Sequence, residues 1–304
     1  VTDAYEPRQV RKEAAVNKAG CVVMVSTRTL KYLYLSCMII QFDKNNRDIN
    51  EASQGDCFYF CYQGLSLYKE LTHRVFTRNS GVSRPPYNNL NVSYEVGDDP
   101  VSVDQNILSI RDNTGADRVI YMNQQHGDTI ISFKEGLSEV PEQVYEADAL
   151  ITDIPGMAIM VKQADCQGLI LFDPLKKVVA VVHSGWKGSV KNIPGKTVEK
   201  MCICFGSNPK NIHAAIGPSL GPCCSEFITY EEIFPPHFKD FMHGNAHFDF
   251  WAITEKQLMD SGIKKENIEK AGICTRCNTG LFYSYRGEGI TGRFATVAMI
   301  KKHP

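Results

Sequence analysis

Residues 169–188 read LILFDPLKKVVAVVHSGWKG. The apolar runs Leu169 to Phe172 and Val178 to Val182 flank an Asp173-Pro174 pair followed by Lys176 and Lys177, which is the pattern of a strand, a turn and a returning strand. A third run, Met157 to Val161, precedes them, and runs this short and this apolar read as buried strands. The hairpin brings Cys166, just before its first strand, and His183, just after its second, to the same edge. Beyond His183 comes the glycine-bracketed connection Ser184-Gly185-Trp186-Lys187-Gly188, then a helix predicted from about Ser189 to Phe205 across Pro194-Gly195.

Working outward, Arg118 to Asn123 reads as a short strand that delivers His126 just past its end, and Pro100 to Asn113 has the apolar spacing of a helix. Val75 to Arg78 reads as a strand, followed by a loop from Asn79 to Tyr87 carrying Gly81 and Pro85-Pro86. Towards the C-terminus a strand at Ile212 to Ile216 runs into Gly217-Pro218-Ser219. Glu255 to Ser261 is predicted helical, and Leu281 to Tyr285 and Phe294 to Ile300 are predicted to be closing strands. Strands and helices are mixed without the alternation of a doubly wound fold. Residues 1–65 differ in character and read as an N-terminal extension of undetermined role ahead of a catalytic domain at 66–304. Within it, Cys21 to Phe42 reads as one or two strands. Arg28 and Lys31 interrupt that run, and its apolar pieces fall far short of the ~18 to 20 residues of a spanning helix.

Composition narrows the function. The chain has 304 residues, 43% of them apolar, and its 33 Lys+Arg balance 34 Asp+Glu. No net basic field exists to hold a polyanion, so nucleic acid and membrane surfaces are not the expected partners, and a small ligand is. Eleven cysteines form an odd set without the spacing of a disulfide scaffold. Free thiols, metal ligation and a cytoplasmic address are expected.

His126, Cys166 and His183 make a borderline-soft ligand set that suits zinc, and three protein ligands leave a position open for water or substrate. Copper suits the same set. A glycine (Gly127, Gly168, Gly185) lies within two residues of each, where backbone can approach a ligand closely. Asp165 stands beside Cys166 as a possible orienting carboxylate, whereas Asp128 reads as a turn carboxylate capping backbone amides. Arg78, Lys187, Arg286 and Arg293 sit beside glycines or near strand ends, where a cation can hold an oxyanion. Cys274 and Cys277 form a C-x-x-C, but Cys223-Cys224 is adjacent instead of spaced. A four-cysteine zinc site is therefore not expected, and these read as buried thiols near a turn. No His-x-Glu with Pro-Cys-x-x-Cys, no Gly-x-Ser-x-Gly and no Walker loop is present. With eight histidines and no His-x-His pair, a multicopper oxidase fold is not expected.

The series Gln125-His126-Gly127, Ala147 to Asp153, Ala164-Asp165-Cys166, His183 to Gly188, Ile216-Gly217-Pro218-Ser219 and Phe282 to Arg286 resembles the family once labelled polyphenol oxidoreductase or laccase-domain proteins. That family includes purine nucleoside phosphorylases with adenosine deaminase activity. The resemblance runs in order from about His73 to Ile300. It implies an α+β fold, a layered α/β/β/α sandwich with mixed sheets in one catalytic domain. It also implies a zinc site at His126, Cys166 and His183. The implied reactions are phosphorolysis of adenosine, inosine and methylthioadenosine, and deamination of adenosine, with purine nucleosides and phosphate as partners. Departures are Lys187 for the usual arginine, Ser184 for the usual alanine, and Gly287 after Arg286 where a second arginine is common. On this reading Asp165, Cys166 and His183 are catalytic, with Asp165 shuttling the proton, and Arg78, Arg286 and Arg293 position phosphate. Open alternatives are a cysteine hydrolase using Cys166 and His183 in cell-wall editing, a copper-dependent phenol oxidase, and a structural zinc.

Overall fold

The computed structural model describes residues 14–16, 22–24, 39–42, 57–136 and 145–302. Its centre is the hairpin read from 169–188: β11 (Gln167–Asp173) pairs antiparallel with β12 (Val178–Ser184), with Gly168 opposite His183 and Leu171 opposite Ala180. Asp173 sets the turn, its carboxylate accepting from the N–H groups of Leu175 and Lys176. Every residue of both strands is buried. The cause is the period of two: Ile170, Phe172, Val179 and Val181 face a second sheet, while Leu169, Leu171, Ala180 and Val182 face helices.

The hairpin lies inside a six-stranded mixed sheet ordered β16-β13-β11-β12-β9-β7, where β16 is Ile268–Lys270, β13 His213–Ile216, β9 Ala149–Thr152 and β7 Ile130–Phe133. The facing sheet is centred on β5 (Leu71–Phe76), β17 (Phe294–Ile300) and β10 (Met157–Gln163), with β6 (Arg118–Asn123) and β8 (Tyr145–Glu146) beyond β10. Phe58–Cys61, on the extension side of the expected boundary at 65, pairs with β5 as β4, bringing Tyr59 opposite Phe76. The edge continues through β3 (Ile39–Phe42), β2 (Val22–Met24) and β1 (Ala14–Val16), so the described residues of the Cys21 to Phe42 run lie in two strands.

Helix α1 (Pro100–Thr114) covers the outer face of this sheet, Ile110 packing in one cluster with Ala158, Met160 and Val297. It is capped by Asp99, which accepts from the N–H groups of Val101 and Ser102, and ends at Gly115 with φ 69°. α3 (Ile193–Phe205) and α5 (Phe250–Asp260) cover the outer face of the six-stranded sheet, with Val198, Met201 and Leu258 against Leu171 and Val182. The layers are α/β/β/α, as expected. Among the described residues no helix is long and apolar enough to cross a membrane.

Two local expectations are corrected. The single helix from Ser189 to Phe205 is two, α2 (Trp186–Val190) and α3, because Asn192 adopts φ 56° and its side chain accepts from the Gly195 N–H to start a new helix. Pro194 then falls in the first turn of α3, where a missing N–H costs nothing. Leu281 to Tyr285 is not a strand. Phe282 and Tyr283 are buried from a loop, and the Ser284 hydroxyl caps the short helix α6 (Tyr285–Glu288) by accepting from Gly287 N–H.

Ile170 is fully buried between the sheets. Ile170→Ala should cost about 2–5 kcal/mol of stability, measured as a lower urea midpoint with an unchanged slope.

Candidate metal centre and substrate cavity

Strand β6 ends at Asn123 and the chain turns sharply through Gln124 to Asp128. The Gln124 side chain imitates a strand neighbour, donating to Lys162 O and accepting from Lys162 N, each at 2.7 Å. His126 then takes φ 55°, a left-handed conformation uncommon outside glycine. What holds it there is Asp148, the residue before β9. This carboxylate is fully buried and accepts backbone N–H bonds from Gln125 (3.2 Å), His126 (2.9 Å) and Gly127 (2.7 Å).

Asp148 also accepts from His183 Nδ1 at 2.8 Å, which leaves Nε2 of that imidazole for another partner. Burial alone would push the Asp148 carboxyl up, but the His183 imidazole and the N–H donors outweigh it and hold it below the usual carboxylate range. The orienting carboxylate is therefore Asp148, not Asp165. Asp128 is not a backbone cap either, its oxygens taking Lys191 at 3.2 Å and Lys196 at 2.6 Å.

One ligand atom each from His126, Cys166 and His183 lies within 4.8 Å of the others, close enough to share one ion. The two imidazole centroids are 4.9 Å apart and nearly perpendicular, at 82°. Gly185 is required behind them, since a Cβ there would stand 2.9 Å from Cys166 Sγ and 3.2 Å from His126 Cδ2. Burial would raise the Cys166 thiol, but the adjacent His183 and His126 imidazoles prevail and bring it down to about 6. Burial would lower His183, but the Cys166 thiolate and the Asp148 carboxylate prevail and raise it to about 9. Once a metal displaces the proton that His183 holds, the donor set is a thiolate and two imidazoles, which fits a divalent zinc or copper ion.

The cluster forms one wall of a cavity of about 630 Å³. Trp186, Phe227, Phe250 and Tyr285 supply aromatic faces, and Lys162, Arg286 and Arg293 supply cations. Asp165, at φ 85°, also lines the cavity. Its oxygens accept from the Thr275 and Ser284 hydroxyls at 2.7 Å and from the Arg286 N–H at 2.6 Å, so it fixes the loop that carries Arg286. The Arg286 guanidinium donates to Glu226 O at 3.0 Å and lies 5.5 Å over the Phe227 ring. Arg293 donates to the carbonyls of Thr291 and Gly292.

Two of the expected anion-binding cations lie elsewhere. Arg78 does not line the cavity: it pairs with Glu288 at 2.6 Å, donates to Thr279 O and stacks 4.3 Å over Tyr283. Lys187 is exposed and lies 5.5 Å over the Trp186 ring, also outside the lining. The sequence reading missed Lys162, which is 5% exposed and 2.8 Å from Glu95. It continues an apolar strand, and a charge buried there is itself the signal, because such a charge needs a partner. The four cysteines set aside above are also brought together, the sulfurs of Cys223, Cys224, Cys274 and Cys277 all within 4.8 Å of one another.

Metal and protons compete for the same atoms, so affinity should depend on pH in two stages. Below the His183 value of about 9, binding displaces a proton and zinc affinity should fall about tenfold per pH unit of acidification; below the Cys166 value of about 6 the thiolate is protonated as well and the fall should steepen. Competition titration with a colorimetric chelator measures both slopes. Asp148→Asn turns an amide NH₂ toward N–H donors and should weaken zinc binding about 10–100-fold, measured in the same titration.

A family profile described as "Multi-copper polyphenol oxidoreductase laccase" matches residues 72–301. The chain is 30% identical over 252 residues to "Purine nucleoside phosphorylase YlmD" of Bacillus subtilis, covering 77% of this chain and 90% of that one. It is 32% identical over 237 residues to "Adenosine deaminase RL5" from an unknown prokaryotic organism, covering 72% and 90%. The fold resembles the crystal structure of a Bacillus licheniformis hypothetical protein YfiH, with a TM-score of 0.73 at 27% identity over 80% of this chain and 96% of that one. With the motifs in order, the two-sheet fold and a match across most of its length, the chain belongs to the laccase-like polyphenol oxidoreductase family, whose members include relatives named as purine nucleoside phosphorylases and an adenosine deaminase.

Proposed function

We propose that the protein is a zinc-dependent purine nucleoside enzyme that phosphorolyses adenosine, inosine and methylthioadenosine and deaminates adenosine. The observation that carries this reading is the composition of the cavity that His126, Cys166 and His183 line, together with aromatic faces and two arginines. These match, in order, a reacting centre, a flat base and an oxyanion. The names of the relatives support the same substrate class.

Zinc held by His126, Cys166 and His183 supplies Lewis acidity. The chain's own residues do the rest. Trp186, Phe227 and Phe250 present apolar faces against which a purine packs and from which water is excluded. Arg286 and Arg293 offer the positive potential that holds phosphate beside the anomeric carbon while the sugar gains oxocarbenium character. Of the two carboxylates lining the cavity, Asp165 is committed to the Arg286 loop and acts by positioning it. Glu95 is held ionised: burial would raise it, but Lys162 and Ser93 prevail.

One observation favours a second reading. Cys166, His183 and Asp148 form a thiolate, imidazole and carboxylate series of the kind a metal-independent cysteine hydrolase uses. A chelator separates the two, since the hydrolase would survive it and be stopped by alkylation. The copper-dependent phenol oxidase would instead take up oxygen with a phenolic substrate.

Incubation with adenosine should yield adenine only when phosphate is present, and inosine without it, both resolved by chromatography. Cys166→Ala should remove the metal and reduce turnover at least about a thousandfold. A Cys166→Ala protein that kept full metal and full activity would remove that residue from the site.

A further inference from the structure

We propose a second metal site in this protein, a zinc ion bound by the four thiolates of Cys223, Cys224, Cys274 and Cys277. The geometry points to it independently of the cavity. Cys223 Sγ and Cys277 Sγ are 3.7 Å apart and Cys224 Sγ and Cys277 Sγ 3.6 Å apart, and all four sulfurs fall within 4.8 Å of one another. Tetrahedral coordination at a Zn–S distance of about 2.3 Å requires sulfur separations of about 3.8 Å. A disulfide requires about 2.05 Å. The sulfurs stand at coordination spacing, and they are too close together to enclose a multi-iron cluster.

Local structure explains how an adjacent pair can serve. The chain reverses at Gly221, whose carbonyl accepts from the N–H groups of Cys224 and Ser225. A Cβ at Gly221 would meet Trp251 at 2.7 Å and the Cys274 Cβ at 3.1 Å, so the turn closes on the cluster only because residue 221 is glycine. On the other side, Cys274 lies in a bridge to Ser219, and Arg276–Asn278 forms a single 3₁₀ turn that brings Cys277 back over Cys274. Ordinary core thiols are buried singly, whereas here Cys223 and Cys277 are exposed and Cys224 and Cys274 are buried beneath them. Packing gives no reason for four thiols to converge across that boundary. Four thiolates at this spacing suit a single tetrahedral ion, and zinc is the common structural choice for a four-cysteine site.

The site would staple the 217–226 loop to the 271–288 loop. Those loops carry Leu220, Ser225, Tyr285 and Arg286 of the cavity wall, and the Arg286 guanidinium rests on Glu226 O, directly beyond the cysteine pair. The ion is structural, with no open position for substrate.

The test is metal content of the full chain by plasma mass spectrometry after reducing purification. Two zinc ions per chain are expected. Cys223→Ser with Cys277→Ser should remove one and leave the other, and Cys166→Ala should do the converse. In the unsubstituted protein, which avoids any folding defect of the variants, iodoacetamide should spare residues 223, 224, 274 and 277 until a chelator is added, as read by peptide mass spectrometry. A single zinc lost with Cys166, a disulfide among these four cysteines in the reduced preparation, or iron in place of zinc would each overturn the proposal.

Discussion

The Asp148 carboxylate accepts three backbone N–H bonds from the 125–127 turn and a fourth bond from the His183 imidazole, and it does so without any exposure to solvent. An ionised carboxylate in that position is tolerable only because four donors replace its water. The same four bonds set the geometry of the centre. They force His126 into its left-handed conformation at the end of β6 and aim His183 from the end of β12, so two histidines from different sheets converge on one point. Remove the carboxylate and the turn has no reason to close.

That convergence depends in turn on how the sheets stack. His126 leaves the nine-stranded sheet and His183 the six-stranded one, and the distance between them is set by the Ile170, Phe172, Val179 and Val181 layer packed against Ile159, Val161 and Ala298. Close packing of this kind transmits changes in volume to its surroundings. The ligand cluster therefore inherits its precision from an apolar layer that contains no functional residue. Cys166 arrives at the same edge because the β11/β12 register places Gly168 opposite His183.

Much of this was legible in the chain. The hairpin, α1, β6 and β17 follow from periodicity and turn chemistry, and the convergence of His126, Cys166 and His183 follows from their places at strand ends. What was not legible has identifiable causes. The Asp148 role depends on contacts spanning more than twenty residues to the turn and 35 to His183, which no local pattern encodes. Asn192 broke a helix that propensity would have continued, because a side-chain cap outweighed it. Phe282 and Tyr283 resemble strand residues, yet they fill the space between the sheets from a loop. Arg78 has the residue type of an anion ligand, but Glu288 and Tyr283 occupy it. The cysteine cluster was missed because adjacent thiols violate the usual spacing, and only the Gly221 reversal makes them converge.

The cavity is thus built in two halves of different kinds. The half formed by His126, Cys166 and His183 stands on strand ends and is fixed by Asp148 and the sheet packing. The other half, Phe227, Tyr285, Arg286 and Arg293, stands on connecting segments and the short helix α6, whose start is held by Asp165. Loops tolerate substitution far better than paired strands do. Such a division leaves the strand-end half fixed while the opposite wall is free to vary in what fits against it. It also explains how one fold can carry the names of a phosphorylase, a deaminase and an oxidoreductase among its relatives. The sheets specify where chemistry happens, and the loops specify on what.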